Sequence, residues 1–154
     1  MISRELRREL ARARIGRFAT SDGAQPSVVP VCFVLLGTTL YQAIDAKPKR
    51  APAGRLRRVR NVRANPLAAF LVDHYEEDWT RLWWLLIRGE ARVVDEEAEQ
   101  RRAVAGLRRK YAQYRTSTRL LPDALVIALD IRSVSRWSPR GRDRPPARRT
   151  ARER

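Results

Sequence analysis

The sequence predicts a mainly β protein of one domain, in which a small antiparallel barrel carries helices on its outside. Apolar, β-branched segments of strand length are separated by turn residues, while three other segments have helical spacing. These segments follow the order helix, three strands, helix, two strands, helix, strand. Because a parallel sheet needs strands that alternate regularly with helices, this order favours antiparallel pairing.

Each predicted element begins or ends at a residue with a clear local preference. Ser3 and Asp95 can cap the first and third helices, and Asn65 precedes a proline that ends the second. Gly89 interrupts the longest strand, which predicts a bulge or bend there. The elements expected in chain order are a helix over 3–14, strands over 15–20, 27–36 and 39–44, a helix over 55–64, strands over 67–74 and 82–94, a helix over 95–114 and a strand over 125–137.

Composition narrows the class of protein. The chain has 154 residues, 44% of them hydrophobic, which is enough for one domain with a core. Its single cysteine, Cys32, excludes an internal disulfide and fits a reducing compartment. No apolar run approaches the roughly 20 residues of a membrane span, and the charged N-terminus lacks the apolar core of a signal peptide. We therefore expect a cytoplasmic protein without membrane association.

Several common kinds of catalytic site are excluded by the residues present. One histidine and one cysteine cannot build a His/Cys metal site, so no metal is expected. The sequence contains no Gly-rich phosphate loop and no Gly-x-Ser-x-Gly nucleophile motif. His74 is a candidate proton donor, although hydrogen bonding to the loop that follows it is the simpler interpretation. An enzyme with this sequence would therefore use the chemistry of a cofactor.

The most informative feature is a basic segment over 47–63 that holds eight positive charges and no acid. Basic side chains and the free N–H groups at a helix start both favour anions. The alternative is the solvated face of an amphipathic helix, with every arginine facing outward, in an arginine-rich chain. Two of only three lysines lie two residues apart here, which favours an anion site. The charges are those of Lys47, Lys49, Arg50, Arg55, Arg57, Arg58, Arg60 and Arg63.

An ordered series of motifs along the chain adds a resemblance to a known family. The motifs are Gly16-Arg17-Phe18-Ala19-Thr20, Gln25-Pro26-Ser27-Val28-Val29-Pro30-Val31, Asp45-Ala46-Lys47-Pro48-Lys49-Arg50, Arg60-Asn61-Val62-Arg63-Ala64-Asn65-Pro66, Val72-Asp73-His74-Tyr75, Asp78-Trp79-Thr80-Arg81-Leu82-Trp83-Trp84 and Arg88-Gly89-Glu90-Ala91. Over about residues 2–138 the chain resembles the pyridoxamine-phosphate-oxidase-like flavin and deazaflavin oxidoreductases, in the branch described as dependent on coenzyme F420.

The resemblance implies a split, FMN-binding-like β-barrel of about six antiparallel strands over residues 1–138. It also implies a homodimer with the cofactor in a groove between the subunits. By the same resemblance, Gln25, Pro26, Ser27, Gln42 and Ala43 would lie near the cofactor ring, and Trp79 and Trp83 would wall the groove. The phosphate would be held by Lys47, Lys49, Arg50, Arg58, Arg60 and Asn61.

The charge of the basic segment favours coenzyme F420 over FMN as the cofactor. FMN has one phosphate, whereas coenzyme F420 adds a phosphodiester-linked tail with several carboxylates. The leading hypothesis is hydride transfer from reduced coenzyme F420 to an unsaturated organic small molecule, with an FMN-dependent reductase or oxidase as the alternative.

A second alternative, a nucleic-acid-binding protein without catalysis, rests on the net charge of +16 and on the arginine-rich tail over 139–154. That tail is expected to be disordered. The aromatic residues lie near 79–84 and do not interleave with the basic segment, so nucleic acid is the weaker expectation.

Overall fold

A computed structural model describes residues 2–45 and 52–139. The predicted phosphate ligands Lys47, Lys49 and Arg50 lie outside the described residues, as does the tail from residue 140 onward. The regular elements are α1 (Arg4–Arg12), β1 (Gly16–Thr20), β2 (Ser27–Val31), β3 (Val34–Leu36), β4 (Thr39–Ala43), α2 (Arg57–Ala64), β5 (Leu67–His74), β6 (Trp83–Val93), α3 (Glu97–Lys110) and β7 (Val126–Trp137).

In the described chain, seven antiparallel strands form one curled sheet in the order β2-β1-β5-β6-β7-β4-β3. Residues of alternating position face the inside of the curl, where Phe18, Phe70 and Ile87 are fully buried. The helices α1, α2 and α3 flank this sheet. The arrangement is a split β-barrel and confirms the predicted mainly β fold with helices on its outside.

The predicted strand over 27–36 is in fact two strands at opposite edges of the sheet. β2 pairs with β1, whereas β3 pairs with β4, and the chain crosses between the edges at Cys32 and Phe33. The hydroxyl of Tyr111 accepts a hydrogen bond from the Phe33 N–H, and the Phe33 carbonyl lies 3.0 Å from the same hydroxyl. The break depends on a residue far along the chain, so the unbroken apolar pattern could not reveal it.

Some predicted helix boundaries also differ from the observed ones. Glu96, one residue after Asp95, is the N-cap of α3, because its carboxylate accepts from the N–H groups of Ala98 and Glu99. The helix ends at Lys110, and a short 3-10 turn over Ala112–Tyr114 replaces its predicted last turn. Likewise, α1 ends at Arg12 and α2 begins at Arg57, two residues inside the predicted ends.

The predicted irregularity at Gly89 is confirmed. The pairing of β6 with β7 shifts its register between Arg88 and Gly89, which is the signature of a bulge. A Cβ atom at Gly89 would lie 2.1 Å from the backbone oxygen of Asp130, closer than any real contact. Glycine is therefore required here by the close approach of β7.

The C-terminal ends of α1 and α3 meet and cap one another. The Lys110 amine donates to the Leu10 carbonyl at 2.9 Å, and the Arg14 guanidinium donates to the Lys110 carbonyl at 2.9 Å. Each cation thus satisfies a carbonyl in the last turn of the opposite helix. The Lys110 amine also lies 3.8 Å from the centre of the Phe33 ring. Among the described residues, no helix is long and apolar enough to span a membrane.

Candidate functional site

A hydrogen bond connects α2 to the end of β1 in the candidate site. Asn61 is buried, and its side-chain amide donates to the Thr20 hydroxyl at 3.1 Å. Thr20 in turn pairs with Ser27 across the β1–β2 hairpin. The structure therefore brings together, through Thr20, the residues Asn61 and Ser27, which the family resemblance predicts to lie at the cofactor.

Arg58 lies one turn before Asn61 on the same helix and is half-buried. Its burial lowers the pKa of the guanidinium, an effect that the nearby Asp45 and Tyr114 oppose. The Nε of Arg58 is buried and has no hydrogen-bond partner among the described residues. The expectation that every arginine of α2 faces outward is therefore wrong for Arg58, although it holds for Arg60.

Gln42 and Ala43 are buried at the end of β4, which leads to Asp45. Both residues pair with β7, through Ile127 and Val126 respectively. The side-chain oxygen of Gln42 is buried without a hydrogen-bond partner in the described part of the chain. Within residues 2–45 and 52–139, one buried acceptor in β4 and one buried donor in α2 are thus left without partners.

A groove of about 450 Å³ runs along the outer side of the sheet beside this site. Thr20 and Pro26 line it at the hairpin end, whereas Gln25, the residue before Pro26, is exposed. Ala68 and Ala69 contribute an apolar wall. Polar side chains on β6 and β7 also line the groove: Arg88, Glu90 and Arg132.

The outer face of the sheet in and around this groove is apolar. Val28 and Leu67 are 63% and 67% exposed. Ala19 and Ala69 pair across β1 and β5 between them and are half-buried. Together these four side chains make an apolar patch on β2, β1 and β5, at one side of the outer face.

The aromatic candidates lie at the other end of the sheet. Thr20 pairs with Ala68, whereas Trp83 pairs with His74, six residues further along β5. At about 3.3 Å per residue, the two positions are roughly 20 Å apart. Trp79 follows on the connection to β6 and is 67% exposed. Within one chain the structure therefore does not bring Trp79, Trp83 or His74 to the end of β1.

His74 has two neighbours at that end. Its ring stacks on Trp83 with centroids 6.1 Å apart and planes inclined by 18°. Its Nε2 lies 3.0 Å from a carboxylate oxygen of Glu76, a residue of the following loop. This contact agrees with the simpler interpretation of His74, a hydrogen bond to the loop that follows it.

Comparison with known proteins decides the family. The chain matches the family model described as pyridoxamine 5'-phosphate oxidase over residues 3–137. The protein belongs to the pyridoxamine 5'-phosphate oxidase family. No match is found among curated proteins.

Solved structures similar to this member of the family share its fold at low sequence identity. A conserved hypothetical protein of Mycobacterium tuberculosis is 17% identical, with a TM-score of 0.68 over 90% of this chain and 86% of that one. A FAD-binding protein of Mesorhizobium loti is 20% identical, with a TM-score of 0.62 over 87% and 93%. The heme storage protein HutZ of Vibrio cholerae is 16% identical, with a TM-score of 0.67 over 89% and 94%.

Sequence reasoning missed three residues around the candidate site of this family member. Thr20 accepts from Asn61, while Asp45 and Tyr114 act electrostatically on Arg58. Burial raises the pKa of the Tyr114 phenol well above its usual range. Tyr114 lies in a 3-10 turn with no periodic signal, so only its tertiary position connects it to the site. The described residues contain no cluster of His, Cys, Asp and Glu side chains suited to a metal ion.

Proposed function

We propose that the protein binds coenzyme F420 and transfers a hydride from the reduced cofactor to an unsaturated organic small molecule. The observation that carries this proposal is the buried Nε of Arg58, which has no acceptor among the described residues. It belongs to a segment with eight positive charges and no acid. A half-buried guanidinium whose Nε lacks an acceptor in the described part of the chain suits an anionic group of the ligand.

The unpartnered atoms of the site fit a cofactor with a phosphate and a ring that carries N–H groups. Arg58 supplies the donor for a phosphate oxygen, and Gln42 supplies an acceptor for a ring N–H. Asn61 fixes the position of α2 against β1 through its bond to Thr20. The exposed Arg60 and the lysines before α2 would add further positive charge for the carboxylates of the coenzyme F420 tail.

The residues of the chain would act by binding, orientation and exclusion of water. When bound, reduced coenzyme F420 supplies the hydride, and a proton completes the reduction of the double bond. Arg58 would neutralise and orient the anionic end of the cofactor, and the apolar wall at Ala68 and Ala69 would keep water from the groove. The proton would come from solvent, because within one chain His74 lies roughly 20 Å from the Thr20 end of the groove.

The apolar outer face supports a homodimer as the working form. Val28 and Leu67 expose most of their apolar side chains, and a second copy of the chain would cover them. The same arrangement would cover the groove beside Thr20. It would also bring aromatic residues to the groove from the partner, and Trp79 is exposed enough for that role.

The test is a fluorescence titration of the full chain with coenzyme F420, repeated in the presence of excess FMN and of excess hemin. Saturable binding that neither competitor displaces supports the proposal. Tight binding of FMN without binding of coenzyme F420 would replace it with the flavin alternative. Preferential binding of hemin, or binding of nucleic acid alone, would refute the cofactor class. Light scattering on the same samples measures the molar mass in solution, which shows whether the protein is a dimer.

A further inference from the structure

A second cleft, separate from the groove beside Thr20, opens at the far end of the barrel. Its volume is about 570 Å³, and it lies between the end of α1, the start of β1 and the β5–β6 pair. Within one chain, the distance of roughly 20 Å along β5 excludes direct contact between a small ligand here and the Thr20 end of the groove. The inference therefore does not depend on the proposed function.

One wall of this cleft is aromatic. The rings of His74 and Trp83 stack nearly parallel, with planes inclined by 18°, and both residues line the cleft. Trp83 is half-buried and packs on the core cluster of the barrel, which holds its ring in place. A planar ring placed on this pair would gain both apolar burial and a stacking contact.

Three arginines surround the cleft, and one of them is free to bind a ligand. Arg17 forms an ion pair with Asp73, and Arg14 donates to the Lys110 carbonyl. Arg12 lines the cleft and has no hydrogen-bond or ion-pair partner among the described residues. An anionic group on the ligand could therefore bind Arg12 without breaking an existing ion pair.

One residue that lines the cleft also carries an acceptor with no donor among the described residues. Glu9 uses one carboxylate oxygen to bind Arg136 at 2.8 Å. Its other oxygen, Oε2, is buried and has no partner among the described residues, and Glu9 lines the cleft. A buried carboxylate oxygen left without a donor is costly, so a ligand that carries an N–H or O–H group would be favoured.

We propose that this cleft binds a small aromatic acid that also carries a hydrogen-bond donor, as an aminobenzoate does. Its ring stacks on His74 and Trp83, its carboxylate binds Arg12, and its amino group donates to Glu9. The aromatic pair lies on β5 and β6, whereas Glu9 and Arg12 lie about one turn apart on α1, and all four residues line the same cleft.

The probe is 4-aminobenzoate, added to the ¹⁵N-labelled full chain and followed by NMR. The chain has four tryptophans and one histidine, so the indole and imidazole signals are few enough to assign. Signals of Trp83 and His74 should shift saturably. The indole of Trp137, which stacks on Trp84 with ring centroids 6.5 Å apart, is outside the cleft and should not move. Benzoate, which lacks the donor, should bind more weakly.

Two variants on α1 make the matched comparison. Arg12→Gln should weaken binding of 4-aminobenzoate about tenfold, because it removes a charge-assisted hydrogen bond. Arg8→Gln removes the same charge from an exposed position that does not line the cleft, and it should bind like the unmodified chain. Both side chains are exposed, so both variants should keep the indole pattern of the folded protein.

Three results would overturn the inference. The first is the absence of any saturable shift at Trp83 and His74. The second is an equal loss of affinity in Arg12→Gln and Arg8→Gln, which would mean attraction by net charge alone. The third is equal affinity for benzoate and 4-aminobenzoate, which would remove Glu9 from the site.

Discussion

Replacing Arg58 with methionine should stabilise the cofactor-free protein while weakening its binding of an anionic cofactor. The Nε of Arg58 is buried without an acceptor among the described residues, and such a donor costs about 1–3 kcal/mol. The attraction of Asp45 offsets part of that cost. Methionine keeps an unbranched apolar side chain and removes the donor. We expect the free energy of unfolding to rise by about 1 kcal/mol, or Tm by roughly 2–4 °C.

The same substitution should reduce cofactor affinity. A hydrogen bond from a guanidinium to a phosphate contributes about 1.5–3 kcal/mol, which corresponds to roughly 10- to 100-fold in Kd. Thermal unfolding of the cofactor-free Arg58→Met variant measures the first effect, and fluorescence titration with coenzyme F420 measures the second. The two effects have opposite signs, which a simple loss of folding could not produce.

Arg63→Met is the matched control. It removes one positive charge from the same helix, but its side chain is exposed. Arg63→Met should change Tm and cofactor affinity little. It removes only screened, long-range attraction to the cofactor and leaves the proposed contact with Arg58 in place. The reasoning is refuted if Arg58→Met lowers Tm and leaves affinity unchanged, or if both variants lose affinity equally.

Other expected outcomes concern stability. Gly89→Ala should lower the free energy of unfolding by about 3 kcal/mol, because its Cβ would lie 2.1 Å from a β7 carbonyl oxygen. Gly54→Ala, whose Cβ would meet its nearest neighbour at 3.7 Å, is the control in urea unfolding. Asn61→Ala should cost about 1–2 kcal/mol, since it removes a buried hydrogen bond; unchanged urea unfolding would contradict this. From about pH 8 to pH 10 the free energy of unfolding should rise. Burial lowers the pKa of Lys110 to about 8 in the folded protein, so in this range the amine keeps its proton only in the unfolded chain. Above pH 10 the free energy of unfolding should fall. Burial raises the pKa of Tyr111 to about 12 in the folded protein, so in this range its phenol loses a proton only in the unfolded chain. Urea unfolding between pH 7 and pH 11 checks both signs, and a monotonic profile would contradict them.

Local signals predicted much of the fold. Glycine within a long strand predicts a bulge or bend at Gly89, and the structure has a bulge there. Ser3 is the N-cap of α1, as its residue type predicts. Boundaries were less predictable where two residues could both cap, as with Asp95 and Glu96. At Cys32 and Phe33 no local signal marked the crossover, because both neighbouring strands are apolar.

The candidate site, like the fold, has features that the sequence predicts and features that only the structure reveals. The basic segment before and within α2, and with it the expectation of an anionic ligand, is visible in the sequence because charge needs no tertiary structure to be counted. Which arginine is buried is not visible: Arg58 and Arg60 look alike in the sequence, and only packing of α2 against the barrel separates them.

The sequence by itself therefore determined the β-rich class, the helices and the concentration of positive charge, since each follows from residue type and spacing. The tertiary structure alone decided that one apolar run becomes two strands at opposite sheet edges and that His74 and Trp83 lie with α1 and away from Asn61. It also decided that the buried Nε of Arg58 has no partner among the residues that the structure describes. Those facts depend on which distant segments come into contact when the sheet curls. Local sequence patterns do not specify such long-range contacts.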